Sequence, residues 1–265
     1  TIAVLLRFTL SITRNTIMKR TVIGFGLAAS LAATSGVSAG DLSGSLALDL
    51  NSHFISYGLD VWTAGDDQDI LFNPSLGIDY AVTDTLTLNA GIWMDINDQA
   101  SPSLETVETD IWIGASYDVG FGSVSATFQN WQYGGTSEEI LDIGLSLDTI
   151  LSPTLTLHKR LGAGASGGEE GLFIVGDISH EFALTDAFSV GLSSAVGFAA
   201  TEFHTQETGF GYASLGASVS YALSDISSIY ASVTYYITDE DVINNSGRGG
   251  EDDFLTFGTG ISFSF

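Results

Sequence analysis

The chain has 265 residues, no cysteine, and 32 acidic side chains against only 7 basic ones. That excess of negative charge excludes nucleic acid as a partner, because phosphate binding needs Lys and Arg. The lack of cysteine excludes disulfides and thiolate metal sites. Yet 45% of the residues are hydrophobic and the mean hydropathy is +0.28, so much apolar surface must be covered by a core or by lipid.

The first segment to read is a leader. Residues 1–17 precede the first methionine and read as an upstream extension. Met18-Lys19-Arg20 then gives a basic start, Val22 to Ala33 a short apolar run, and Val37-Ser38-Ala39 a small-x-small site. These are the three parts of a secretory signal peptide, so residues 18–39 are expected to be removed. The apolar run is too short, and too rich in Ala and Gly, to span a membrane as a helix. Arg7, Arg14, Lys19 and Arg20 all lie before the cleavage site, so the exported part keeps 3 basic residues against 32 acids. That part, 40–265, reads as one domain.

No other stretch approaches 18 continuous apolar residues, which leaves strands as the only way to cross a bilayer. Five short turn signals recur: Val82 to Thr85, Val119 to Gly122, Ile150 to Pro153, Leu184 to Ala187 and Leu223 to Ile226. Their spacing fits two membrane-length strands plus a connection each time. Polar, Gly-rich stretches near 64–70, 97–106, 134–138, 161–170, 202–208 and 238–252 alternate with them. Six long loops and five short turns join twelve strands, with both ends on the short-turn side. The expected fold is all-β: a closed antiparallel up-and-down transmembrane β-barrel of about 12 strands.

Strands themselves alternate with period two. Between Leu86 and Ile96, Leu86, Leu88, Ala90, Ile92, Met94 and Ile96 share one face and Thr87, Asn89, Gly91, Trp93 and Asp95 the other. Leu141 to Asp148 and Phe188 to Phe198 behave likewise. Two stretches fit poorly: Ser52 to Trp62 needs a phase shift, read as a bulge near Ser52 to Ser56, and Leu172 to Val175 is apolar on both faces.

Carboxylates fall on the polar face, where they avoid the cost of facing lipid. Asp49, Asp79, Asp95, Glu108, Asp110, Asp142, Asp148 and Asp177 are thus pore-lining candidates, together with the basic Arg160. Arg160 is most simply paired with Asp142 or Asp177. Lys159 points outward at a loop end, where its stem can snorkel. Trp93, Trp112 and Trp131, with Tyr133, are candidates for a constriction near the long loops. Twelve strands lie between the filled eight-stranded barrel and the open sixteen-stranded porin, so a narrow pore is possible. Its acids would favour cations. Tyr80, Tyr117, Tyr221, Tyr235 and Phe265 sit near strand ends, as in an aromatic girdle.

Loop acids are numerous: Asp66, Asp67, Asp69, Asp98, Glu105, Glu138, Glu139, Glu169, Glu170, Asp239, Glu240, Asp241, Glu251, Asp252 and Asp253. They read first as solvated charge. Loosely bound divalent cations bridging them to lipopolysaccharide are the sharper reading, but no EF-hand spacing occurs and no resident cofactor is expected. The histidines of the exported part, His53, His158, His180 and His204, are scattered. His158 and His180 could meet across strands, which keeps a lipid hydrolase open as an enzymatic alternative.

The last twelve residues, Phe254 to Phe265, read FLTFGTGISFSF. Leu255, Phe257, Thr259, Ile261, Phe263 and Phe265 share one face, and small polar residues the other. This long strand with a terminal aromatic resembles the C-terminal strand of bacterial outer-membrane β-barrels. The resemblance implies that Phe263 and Phe265 belong to the signal read by the barrel-insertion machinery. Ser52-His53-Phe54-Ile55-Ser56-Tyr57-Gly58 resembles the aromatic-then-glycine motif of small bacterial porin-like proteins, with Tyr57 where those usually carry Arg. It implies a porin.

The sequence therefore reads as a Gram-negative outer-membrane porin-like channel for passive diffusion of small hydrophilic solutes, leaning to cations. Lipid and lipopolysaccharide surround it on this reading. Its rivals are a non-conducting barrel displaying acidic loops, the hydrolase, and a soluble secreted β-sandwich.

Overall fold

A computed structural model describes residues 39–61, 70–98, 103–162 and 170–265. The leader up to residue 38 and the loop acids Asp66, Asp67, Asp69 and Glu169 lie outside these residues. Twelve strands form the wall: β1 (Leu42–Asn51), β2 (Leu71–Ala81), β3 (Leu86–Asn97), β4 (Glu105–Asp118), β5 (Gly122–Tyr133), β6 (Thr136–Leu147), β7 (Thr154–Gly162), β8 (Leu172–Ala183), β9 (Phe188–Ala199), β10 (Gly209–Ser224), β11 (Ser227–Thr238) and β12 (Asp253–Ser264). Each pairs antiparallel with its neighbours in sequence, and β12 pairs with β1 to close the barrel. Closure removes both sheet edges, so the strand backbones bond within the protein.

The seam is finished at Phe265. Gly44 N–H donates to the Phe265 carbonyl at 2.8 Å, and Phe265 N–H donates to Gly44 at 3.1 Å. A Cβ on Gly44 would lie 2.6 Å from the Phe265 ring, so the missing side chain makes room for the terminal aromatic.

Alternation sets the two surfaces as the sequence leads one to expect. Ile113, Leu215 and Phe257 stand outward with more than half of their surface exposed. Tyr80, Tyr117, Tyr221 and Phe265 are exposed at the short-turn end. An apolar outer belt on a closed single sheet is a lipid-facing surface. It rules out the soluble β-sandwich, which would bury that face between two sheets.

Three features depart from the sequence reading. The stretch 134–138 is not a long loop: Gly134 and Gly135, both at positive φ, make a two-residue turn, and β6 starts at Thr136. Such turns need φ above zero at both central positions, which glycine supplies without steric cost. Glu138, read as a loop acid, is therefore a wall residue with no exposed surface.

The second departure is the phase break after Asn51. It is not a bulge in a continuing strand. The chain leaves the wall, and Ile55–Ser56 pairs with Leu59–Asp60 in a small hairpin turned at Tyr57 and Gly58. Both turn residues have positive φ, 50° and 86°. Tyr57, with a Cβ, bears a conformational cost of roughly 1 kcal/mol there.

Third, Leu172 to Val175 is apolar on both faces because Phe173 and Val175 are buried inside the barrel. They belong to an internal cluster with Tyr57, Trp131, Phe203, Tyr212, Tyr236, Val242 and Ile243. The hydrophobic core sits within the loop end of the lumen.

Candidate functional site

Among the described residues, three segments fold into that end of the barrel. The first is the Tyr57 hairpin. The second is the β9–β10 connection, which buries Phe203 completely. The third is the β11–β12 connection, with a short helix α1 (Glu240–Ile243) capped by the Asp239 carboxylate.

Aromatic rings hold them together. Tyr57 stacks on Trp131 at 5.7 Å, lies 4.5 Å from the His158 ring and meets Phe203 edge-on at 5.2 Å. Phe54 tilts against Trp93 at 4.9 Å. Hydrogen bonds add direction. Asn245 accepts from Asp60 N–H at 2.9 Å and donates to the Gly58 carbonyl at 3.1 Å, and Thr205 donates to the Asp241 carbonyl at 2.8 Å. Burial pushes the Tyr57 phenol well above its usual pKa, with the Asp142 charge adding to the effect. Its oxygen finds no hydrogen-bond partner.

Beneath the segments lies a buried ionic layer. Arg160, 1% exposed, donates through Nε to Glu138 and through its terminal nitrogen to the Phe203 carbonyl. Its guanidinium lies 3.9 Å from the centre of the Phe203 ring. The Tyr133 hydroxyl also donates to Glu138. Arg160 thus ties the wall to an inward segment through a fully buried pair, which is costly to break from one side.

The partner expected for Arg160 is different, because the alternatives are engaged elsewhere. Asp142 lies 2.7 Å from His158 Nδ1 and accepts from the Gln129 amide, and Asp177 accepts from Thr154. Glu138 escaped notice because the Gly-Gly turn beside it reads as loop.

The remaining acids are placed as follows. Asp95 is fully buried and accepts from the Asn73 and Asn97 amides at 2.9 and 2.8 Å. Glu108 and Asp110 follow two residues apart on the inner face of β4, 6% and 1% exposed. Asp49 accepts from Tyr230. Asp79 faces inward near the short-turn end, opposite Ser43 and Asn89. Asp148 departs from expectation: it lies just beyond β6, exposed in the following turn. A strand pattern cannot reveal the residue at which the strand stops.

Of the tryptophans, Trp93 and Trp131 meet the inward hairpin, and Trp112 lies against Gly91, where a Cβ would fall 2.1 Å from its ring. His158 is buried inside while His180 is on the outer face, its Nδ1 2.6 Å from the Ile150 carbonyl. The structure does not bring these two histidines together. Among the described residues, no group of three or more His, Asp or Glu has the geometry to hold a metal ion.

The short-turn half of the lumen is built differently. Gly114, Gly144, Gly191 and Gly216 each face a hydroxyl residue on the next strand: Thr127, Ser125, Ser218 and Ser193. In every case the hydroxyl oxygen lies 2.5 Å from where a glycine Cβ would be, so it leans along the wall. Ser123 with Ser146, and Ser228 with Ser262, bond directly at 2.8 Å. Short, polar side chains thus line much of this half, and the Tyr230 ring, lying over Gly260, reaches across it to Asp49.

Neither protein-family models nor curated protein sequences match the chain. Solved structures do. The COG4313 outer membrane channel from Pseudomonas putida F1 superposes with a TM-score of 0.54 at 9% identity, over 88% of this chain and 98% of that one. The fold is that of a bacterial outer-membrane β-barrel. The KdgM porin is also similar, with a TM-score of 0.48 and 11% identity over 84% of this chain and 99% of that one.

Proposed function

We propose that the chain is a porin-like channel of the outer membrane, passing small hydrophilic solutes with a preference for cations, and closed at its loop end by the Tyr57 hairpin. The observation carrying this reading is the contrast inside one barrel. A lumen half lined by hydroxyls and glycines leads up to inward acids, and what covers them is a hairpin outside the wall. A barrel serving only as a scaffold has no need of a small-residue lumen.

Asp49, Asp79, Asp95, Glu108, Asp110, Asp142 and Asp177 are the acids we assign to the path, with Arg160 anchoring the closed end. Trp93, Trp112 and Trp131 form its narrow zone. Outer-membrane lipid and lipopolysaccharide are the surroundings we assign to the apolar belt. Phe263 and Phe265 are the residues we assign to recognition by the insertion machinery.

Planar-bilayer recording of the refolded protein tests this, with and without replacement of residues 53–60 by a Gly-Ser linker. The expected result is rare steps for the wild type and frequent, cation-selective steps for the linker variant. The inward hairpin also favours a second reading, a permanently closed barrel. Absence of current from a folded linker variant would establish that reading and sink the channel.

A further inference from the structure

The ionic layer satisfies its acids unevenly. Asp95 accepts from two amides, Glu138 from Arg160 and Tyr133, and Asp142 from Gln129 while facing His158. Asp110 is as deeply buried, at 1% exposure, yet neither of its oxygens has a hydrogen-bond donor. The groups that reach it are the carboxyls of Glu108, which lies within hydrogen-bonding reach, and of Glu138 and Asp95, acceptors like itself. A buried carboxylate in that position calls for a positive partner.

Its flanks indicate which kind. Directly across the ladder, Asp110 pairs with Trp93 on β3 and with Trp131 on β5, and Trp112 follows two residues on along the same face. Cross-strand neighbours on one face stand about 5 Å apart, so two indoles border the carboxylate. A calcium ion would need six to eight oxygens, and among the described residues no group of three or more His, Asp or Glu has the geometry to hold one. Indole faces instead attract large, weakly hydrated cations, above all alkylated ammonium groups.

We propose that Asp110, bordered by Trp93, Trp112 and Trp131, is the anionic floor of a binding site for a small organic cation of the alkylammonium class. The carboxylate supplies the countercharge and the indoles the walls. Tyr57 and Phe54, lying on Trp131 and Trp93, form the roof. The site does not depend on conduction, since a closed barrel could hold the cation equally well.

The probe is tetramethylammonium chloride, titrated into the folded full-length protein in detergent and followed by tryptophan emission and calorimetry. Sodium chloride at equal ionic strength is the control. The expected result is a saturable change with tetramethylammonium only, weakened at least about tenfold, or 1.4 kcal/mol, in Asp110→Asn. Trp131→Leu should weaken it too, while the exposed-turn variant Asp148→Asn should leave it intact. Heat-modifiable gel mobility verifies that each variant is folded. An equal response to sodium, or an unchanged response in folded Asp110→Asn, overturns the site. So does a protein that binds neither salt but shows a pH-dependent emission change lost in Asp110→Asn. In that case a proton shared with Glu108 is the missing partner.

Discussion

The two halves of the lumen share one wall and one strand alternation, yet they are packed on opposite principles. At the loop end, bulky rings and paired charges interlock with three inward segments. At the short-turn end, glycines face serines and threonines, and among the described residues nothing from outside the wall enters. The difference teaches that inward direction alone says little about a barrel position. What counts is whether a non-wall segment comes to meet it.

The sharpest way to break this contrast is at Arg160. Arg160→Ala leaves Glu138 buried without its cation and the Phe203 carbonyl without its donor. The expected loss is about 3–5 kcal/mol, read as a lower temperature for conversion of the folded gel band. A variant as stable as wild type would show that the loop end is not organised around this pair.

Tyr57→Ala comes next. It removes the ring that touches Trp131, His158, Phe173 and Phe203, a loss of about 3 kcal/mol or more for a buried aromatic, offset slightly by relief at its positive φ. The barrel should remain folded while protease sensitivity rises between residues 52 and 61. Unchanged protection would mean that the hairpin is held by Asn245 and Phe54 alone.

In the other half, Ser193→Phe should cost little, within about 0.5 kcal/mol, because the side chain projects into open lumen opposite Gly216. In the linker variant it should reduce single-channel current. A large loss of stability instead would show this half to be packed as tightly as the first.

The smallest effect concerns pH. Burial lowers the pKa of His53, which lies 3.7 Å from Asp60, stacks on Phe254 and contacts the Ser52 hydroxyl. A histidine whose folded pKa is depressed contributes stability above its unfolded value, near 6.5, and loses it as pH falls through the folded one. Hairpin protection should therefore decline modestly below about pH 6.5, and His53→Phe should flatten the profile. A decline of equal size in that variant would assign the effect to the neighbouring carboxylates.

The wall was legible because period two is strict wherever one face meets lipid. Residues such as Ile113 and Phe257 can stand nowhere else, and the turns between them fall where alternation stops. The inward direction of acids within strands, such as Asp95 and Asp110, was legible from the same alternation, whereas Asp148 lies past the end of its strand. The inward hairpin was not: alternation reports the face of a strand residue, and a phase break at Ser52 looks the same whether the strand bulges or leaves the sheet. Glu138 was hidden by the Gly134-Gly135 turn, which in composition is indistinguishable from a loop. The double-faced apolar run at Leu172 to Val175 was the one visible trace of the internal core. It meant that something apolar had to lie inside the barrel opposite it.

The close fit of Phe265 over Gly44 also has a meaning in time. The two partners belong to the seam between the first and last strands of the wall, a contact of large sequence separation and of the kind that forms slowly. Until β12 reaches β1, each of the two presents a bare edge able to pair with another chain. The contact of Phe265 with Gly44 then acts as the latch that ends this exposure of both edges.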